Sequence, residues 1–140
     1  MKGGVPAVKI PAQRSGWLGF ALSDLLDAVG DQPDLVWQVI DARFAFDDQA
    51  VSDTWQAVAY DSRMASGVDI KWEQMEQLAA AGGQIAQGTF TAFDGNEAIV
   101  QLVAFGSSHW VVWARRSSVL ERLRTAFAGV EDYDARLPHR

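Results

Sequence analysis

The chain has 140 residues, 49% of them apolar, with six tryptophans, no cysteine and a formal net charge of −6. This length suits one domain with one core, and the apolar content argues against global disorder. The lack of cysteine excludes disulfides, thiolate nucleophiles and cysteine-ligated metals, and the acidic balance disfavours binding to nucleic acid.

The first part of the chain has no hydrophobic periodicity. Residues 1–16 contain three glycines and two prolines. We therefore predict a flexible N-terminal arm over residues 1–16 and a single α+β domain over residues 17–140. No stretch approaches the roughly 18 apolar residues of a membrane span, so we expect a cytoplasmic protein that does not bind membranes.

A short helix and a strand are predicted next. Ser23 is placed to cap a helix that buries Leu25, Leu26 and Val29 and ends at the following glycine. The β-branched and aromatic residues after it predict a strand over residues 35–46. One face of this alternating strand would carry Val36, Ile40, Ala42, Phe44 and Phe46.

The middle of the chain allows two interpretations. Asp47 and Asp48 can begin a helix, whereas the polar residues that follow fit an ordered loop over the same segment. The next helix has clearer ends, because Asp69 can cap it and Gly82 with Gly83 can end it. Its buried stripe would consist of Trp72, Met75, Leu78 and Ala79.

The second half of the chain predicts a meander. Strands over residues 84–93 and 98–105 are joined by a turn at residues 94–96. Gly106 then allows a reversal into a third strand over residues 109–114.

A final helix and an acidic tail follow the meander. Ser118 and Glu121 form a capping box, and the buried stripe would consist of Leu120, Leu123 and Phe127. The acidic residues 131–134 are expected on the surface. The order of elements indicates an α+β fold with an antiparallel sheet of about four strands, ending in the meander, and with helices packed mainly on one face.

Two sets of polar residues could carry chemistry. Ser107, Ser108 and His109 place hydroxyls beside an imidazole, the residue types of a nucleophile and its base. Adjacent strand residues point to opposite sides, so Ser108 and His109 are not expected to face each other, and a turn explains the serines equally well. Asp47 and Asp48 could act as an acid–base pair if buried, or lie at a solvated helix start. We assign no catalytic residue, no metal site and no cofactor.

The strand tryptophans suggest a binding surface. Trp110 and Trp113 point to opposite faces of their strand, so one of them should lie on the sheet face away from the helices. An exposed tryptophan is a typical anchor of a protein interface. The predicted partner-binding residues are therefore Trp37, Trp110, Trp113, Asp47 and Asp48.

A series of local motifs runs through residues 20–128. It begins with a Leu25-Leu26 helix and a strand that contains Trp37. A helix over residues 72–79 and a Gln-x-x-x-Gly-x-Phe strand formed by Gln84, Gly88 and Phe90 come next. A Ser-Ser-x-Trp strand and a leucine-rich helix that closes on phenylalanine complete the series, with Ser107, Ser108, Trp110, Leu120, Leu123 and Phe127.

This series resembles a loose group of small bacterial α+β domains, which includes uncharacterised proteins and immunity proteins of polymorphic toxin systems. Gly106 and His109 depart from the pattern, because an acidic and an aromatic residue are more usual there. The resemblance implies a non-enzymatic protein that binds a partner, and it names no partner.

Three functions follow from these observations. The first is a protein-binding or immunity-like module with an acidic or aromatic face. The second is a small-ligand-binding domain or minor enzyme that uses carboxylates with Ser108 or His109 in a cleft. The third is a self-associating protein that buries a strand tryptophan between copies.

Overall fold

The structure is a computed structural model that describes residues 4–11, 13–14, 17–18, 22–30, 34–44, 53–64, 67–80, 85–106 and 108–136. In chain order the elements are β1 (Gly4–Pro11), β2 (Gln13–Arg14), β3 (Trp17–Leu18), α1 (Leu22–Val29), β4 (Val36–Phe44), α2 (Asp53–Ser62), β5 (Val68–Lys71), α3 (Trp72–Ala80), β6 (Ile85–Asp94), β7 (Glu97–Phe105), β8 (His109–Ala114), α4 (Ser117–Ala126) and β9 (Glu131–Arg136). Helices and an antiparallel sheet together confirm the α+β class.

The main sheet of the described residues has seven strands in the order β5-β4-β6-β7-β8-β1-β9, and each neighbouring pair is antiparallel. The prediction of about four strands was therefore too low. The predicted strand and meander correspond to β4, β6, β7 and β8, and the sheet also contains β1, β5 and β9. The strands β2 and β3 form a separate two-stranded antiparallel sheet.

The predicted flexible arm over residues 1–16 is wrong for Gly4–Pro11, which lies inside the sheet between β8 and β9. Both faces of β1 are buried: Ala7 lies on one face, and Val8 and Ile10 lie on the other. A strand that is buried on both faces shows no alternation of apolar and polar residues. This burial explains why the periodicity of the sequence did not reveal β1.

The acidic tail is also part of the sheet. Its residues form β9, which pairs with β1 along its whole length and is exposed at five of its six positions. The predicted surface position is confirmed, while the strand itself was not foreseen. Charged residues are uncommon in central strands but suit an edge strand. For this reason the acidic composition of the tail did not indicate a strand.

One face of the sheet packs against helices and forms the main core. The strands contribute Val8, Ile10, Trp37, Val39, Phe90, Leu102, Trp110 and Val112. The helices contribute Leu25, Leu26, Val29, Trp72, Met75, Leu78, Leu120 and Leu123. This arrangement agrees with the expectation of helices mainly on one face, and it contains the stripes predicted for α1 and α3.

We call the opposite side of the sheet the second face. It has a smaller core of strand residues, namely Ala7, Phe93, Ala98, Val111 and Trp113. A bulge in β7 helps to build this core: Ala92 pairs with Val100 and Phe93 pairs with Ala98, which leaves Ile99 as an extra residue. The extra residue reverses the alternation and turns Ala98 to the second face.

The residues predicted to share one face of the first long strand are divided between its two faces. Trp37 and Val39 point into the main core, so Val36 and Ile40 lie on the second face. The pairing of β4 with β6 shifts between Ile40 and Arg43, and Ala42 returns to the main core after this irregularity. Phe46 lies outside the described residues.

Three helix starts differ from the sequence predictions. The helix α2 begins at Asp53, and Asp69 belongs to β5 instead of capping α3. The start of α3 is stabilised by Gln74, whose side-chain oxygen accepts a hydrogen bond from the Lys71 backbone N–H at 2.9 Å. The N-cap of α4 is Arg116, with no side-chain cap, so the predicted capping box does not form.

Candidate functional site on the second sheet face

The exposed apolar residues of the strands share one face. Among the strand residues whose side chains the structure describes, the large apolar side chains that are exposed are Val36, Phe105 and Tyr133, at 41%, 42% and 42%. Val36 pairs with Phe93, and Tyr133 pairs with Ala7, and both partners belong to the second-face core. Phe105 follows the main-core residue Ala104 and therefore also points to the second face.

A groove of about 350 Å³ opens beside Phe105. It lies where β4, β6 and β7 come together at one end of the sheet. Its lining includes Asp41, Gln87, Gly88, Thr89, Val103 and Phe105. The groove therefore joins an apolar wall to a polar end that carries a carboxylate and a carboxamide.

The polar end of the groove depends on an irregularity in β4. Asp41 has a φ of 52°, an uncommon conformation for a residue other than glycine, although aspartate tolerates it better than most. Opposite this irregularity lies Gly88, which has a φ of 150°. A Cβ at Gly88 would lie 3.1 Å from the Ala42 Cα, so the close contact between the two strands favours glycine here.

The Asp41 carboxylate is held by two neighbours. Gln87 Nε2 donates to Oδ2 at 2.6 Å. Arg43 approaches Oδ1 with its Nε at 3.2 Å and its Nη2 at 3.1 Å. These contacts fix the carboxylate at the rim of the groove, and they also neutralise its charge.

Ser108 and His109 lie beside the apolar wall of the groove. The His109 ring stacks on Phe105, with ring centroids 4.9 Å apart and an angle of 12° between the planes. The Ser108 Oγ lies 2.8 Å from His109 Nδ1, so the prediction that these two side chains would not face each other is wrong. Ser108 belongs to the turn before β8, where strand alternation does not apply.

The hydrogen bonds of Ser108 favour a structural role. Its Oγ also lies 2.9 Å from the Phe105 carbonyl oxygen, to which it donates its proton. The hydroxyl has one proton, so it then accepts from His109 Nδ1–H rather than donating to it. This arrangement closes the turn, and it leaves His109 Nε2 as the nitrogen that can accept a hydrogen bond from another molecule.

The pKa of His109 is lowered from its ordinary value of 6.5. The first cause is burial, which disfavours the charged imidazolium, and the second is the positive charge of Lys9. Lys9 lies on the neighbouring strand and points to the same face. Both causes favour the neutral imidazole over the imidazolium.

The structure buries all three predicted tryptophans. Trp37 and Trp110 lie in the main core, while Trp113 lies on the second face. Trp110 and Trp113 thus lie on opposite faces, as the alternation of β8 predicted. Trp113 is buried among strand residues, and the Arg115 guanidinium lies 5.6 Å from the centre of its ring. The structure thus provides no exposed tryptophan ring at these positions, whereas Phe105 and Tyr133 are exposed aromatic residues of this face.

Three other predicted site residues, Asp47, Asp48 and Ser107, lie outside the described residues. The described part of the chain contains no group of three or more histidine, aspartate or glutamate residues that could hold a metal ion. Within the same residues, no helix is both long enough and apolar enough to span a bilayer.

Sequence reasoning missed Phe105 and Asp41 as site residues. The sequence prediction included Phe105 only as the end of a strand, and it gave Asp41 no role. Aspartate is depleted in strand interiors, and glycine there often marks a bulge or a close backbone contact. The presence of Asp41 and Gly88 in predicted strands was therefore a signal for this irregular end of the sheet.

Comparisons with known proteins identify no matching family model, no matching curated protein and no matching solved structure. The resemblance to immunity-type domains therefore stays a prediction.

Proposed function

We propose that this chain is a non-enzymatic protein-binding module and that its docking surface is the second face of the sheet. The observation that carries the proposal is the placement of Val36, Phe105 and Tyr133. Among the strand residues whose side chains the structure describes, these are the exposed large apolar groups, and they lie on this one face. Exposed aromatic side chains such as Phe105 and Tyr133 are typical anchors of protein interfaces.

Phe105 is the best candidate for an energetic anchor. Its ring is already stacked on His109, so little side-chain freedom is left to lose when a partner binds. The groove beside it could receive a side chain of the partner, and Asp41 and Gln87 offer polar groups at the rim. A rigid aromatic residue next to a pocket is the arrangement that dominates many interface energies.

The immunity-like role is part of this proposal. In that role the chain would occupy the surface of a harmful protein partner in the cytoplasm and block its activity. The net charge of −6 would favour a partner with a basic surface and would speed the encounter between the two.

A second candidate function is ligand binding or catalysis in the groove. One observation favours it: the Ser108 hydroxyl and the His109 imidazole contact each other at 2.8 Å beside the groove. The competing bond from Ser108 to the Phe105 carbonyl weakens this candidate, because the serine proton is directed away from the imidazole. Catalysis would require His109 to take that proton.

A comparison of captured proteins tests the two functions. The wild-type chain, Phe105→Ala and Tyr60→Ala would each be immobilised and exposed to a lysate of the native host. Tyr60 is an exposed aromatic residue on α2 and serves as the matched control. We expect a protein that is retained by the wild type and by Tyr60→Ala, and that Phe105→Ala loses by about tenfold or more.

Two results would contradict the proposal. One is equal retention by Phe105→Ala and the wild type. The other is a chain that retains no protein but releases a small molecule from the groove on unfolding. In that second case Ser108→Ala and Asp41→Asn would show which end of the groove holds the molecule.

A further inference from the structure

A buried hydroxyl connects helix α2 to the irregular part of β4. It belongs to Ser62, the last residue of α2, which is 1% exposed. The Ser62 Oγ accepts a hydrogen bond from the Ala42 backbone N–H at 2.9 Å and donates to the Ala59 carbonyl oxygen at 2.7 Å. The hydroxyl thus uses its one proton within α2 and offers a lone pair to β4.

The strand pairing shows why β4 needs this acceptor. Ile40 pairs with Thr89 and Arg43 pairs with Gln87, so β4 has two residues at a point where β6 has one. Such a bulge disrupts the ladder of backbone hydrogen bonds. Ala42 is the second residue of the bulge and is buried in the main core, where an unpaired N–H would be costly. Ser62 satisfies that N–H and so stabilises the bulge.

The chain that follows α2 holds β4 at a second point. A Cβ at Gly67 would overlap the Val39 carbonyl oxygen, so the two backbones lie directly against each other. Asp41 therefore lies between two held positions of β4, one at Val39 and one at Ala42. A residue other than glycine keeps a positive φ only where its surroundings impose it, and these two contacts do so for Asp41.

We infer that Ser62 is the positioning residue for the polar end of the groove. Its hydroxyl selects the bulge in which the Asp41 carboxylate meets Gln87 and Arg43. Ser62 acts only through the backbone of β4, from the side of the helices. This role belongs to the free chain, and its importance for docking rests on the proposed function.

Ser62→Cys tests the role with little change in side-chain volume, because a thiol fills the place of the hydroxyl but is a weak acceptor. We expect the Ala42 amide to exchange with solvent about tenfold faster or more in this variant. The side-chain amide of Gln87 donates to Asp41 in the wild type. Its NMR resonance should therefore move towards the position that it has in Asp41→Ala.

Two substitutions at position 41 report the backbone conformation. Asp41→Gly and Asp41→Ala both remove the carboxylate, but glycine adopts a positive φ without steric cost. With Ser62 present, Asp41→Gly should have the higher midpoint in urea unfolding. In the Ser62→Cys background this advantage should disappear or reverse, because glycine is the less stable residue in ordinary strand geometry.

Two further variants separate positioning from a general loss of stability. Ser62→Thr keeps the hydroxyl, so it should keep the slow exchange of the Ala42 amide and the wild-type Gln87 resonance. Thr91→Val removes a second buried hydroxyl, which accepts a hydrogen bond from Gln101 Nε2 at 2.9 Å. It should lower the midpoint of unfolding and leave the Ala42 amide and the Gln87 resonance unchanged.

Three results would overturn the inference. They are an unchanged Gln87 resonance in Ser62→Cys, an equal shift of that resonance in Thr91→Val, and a preserved advantage of Asp41→Gly in the Ser62→Cys background. All three are measured on the free chain. Equal retention of a host protein by the wild type and Phe105→Ala would contradict the proposed function and would leave these results as they are.

Discussion

Trp37 carries a polar group, its indole N–H, into the main core. Its side chain is completely buried, and its indole N–H finds no hydrogen-bond partner within the part of the chain that the structure describes. The ring packs against Trp72, with centroids 6.0 Å apart. The Trp37 ring should therefore stabilise the fold by packing, whereas its buried N–H lowers the stability because it has lost its hydrogen bonds to water.

This imbalance leads to a prediction. Trp37→Phe should change the free energy of unfolding by no more than about 1 kcal/mol, because the loss of ring volume is offset by removal of the unsatisfied donor. Trp37→Ala should cost about 3–5 kcal/mol, because it leaves a large cavity. Urea unfolding followed by circular dichroism measures both. A loss in Trp37→Phe as large as that in Trp37→Ala would contradict the expected offset.

His109 gives the stability a dependence on pH. Its folded-state pKa lies below 6.5, so the unfolded chain binds the proton more readily. The contribution of His109 to the free energy of unfolding is therefore complete above about pH 6.5 and is lost as the pH falls through the lower folded-state pKa. We expect His109→Gln to reduce the slope of stability against pH in this range.

NMR titration of the His109 imidazole measures directly how much the charge of Lys9 lowers the pKa of His109. Lys9→Gln should raise the pKa of His109, since it removes a nearby positive charge. Lys71→Gln removes the same charge from β5 and should leave that pKa unchanged. An unchanged pKa in Lys9→Gln would leave burial as the only cause.

At the scale of elements, the irregular contact between β4 and β6 shapes the groove. Gly88→Ala should cost about 2–3 kcal/mol, because its φ is unfavourable for alanine and its Cβ would press on Ala42. Gly106 is the matched control, since its φ of 55° is also positive but a Cβ there meets nothing within 4 Å. Gly106→Ala should cost only about 1 kcal/mol. Equal losses in thermal or urea unfolding would contradict the close contact at Gly88.

The elements differ in how well the sequence predicts them. The stripes of α1 and α3 and the strands β6, β7 and β8 follow from residue spacing and turn residues, which are local signals. The face of β4 was not predictable in this way, because Val36, Gln38 and Ile40 alternate as regularly as Trp37 and Val39. Which set is buried depends on the position of β5 and β6 beside β4, and that is a non-local property.

At the scale of the whole molecule, the position of β1 is the largest difference from the prediction. Val8→Ser should cost about 2–4 kcal/mol, because Val8 is completely buried in the main core. Pro6→Ser introduces the same residue at an exposed position of the same strand and should change stability by less than about 1 kcal/mol. If both variants were as stable as the wild type, residues 4–11 would not belong to the sheet.

The site could be predicted only in part. The sequence predicted that one of Trp110 and Trp113 lies on the face away from the helices, without saying which, and it singled out Ser108 and His109. It could not place Phe105 next to Asp41, because β4 and β7 are separated along the chain and meet only through β6. The groove is thus a product of sheet order and register, which residue spacing alone does not encode.

Photo-crosslinking in the native host tests the proposed docking surface most directly. Phe105→p-benzoylphenylalanine places a reactive group on the second face, and Tyr60→p-benzoylphenylalanine places one on α2. The proposal predicts that irradiation joins the position-105 variant to one protein of the host and that the position-60 variant forms no such product. Equal crosslinking from both positions, or none from position 105, would contradict a docking surface on the second face.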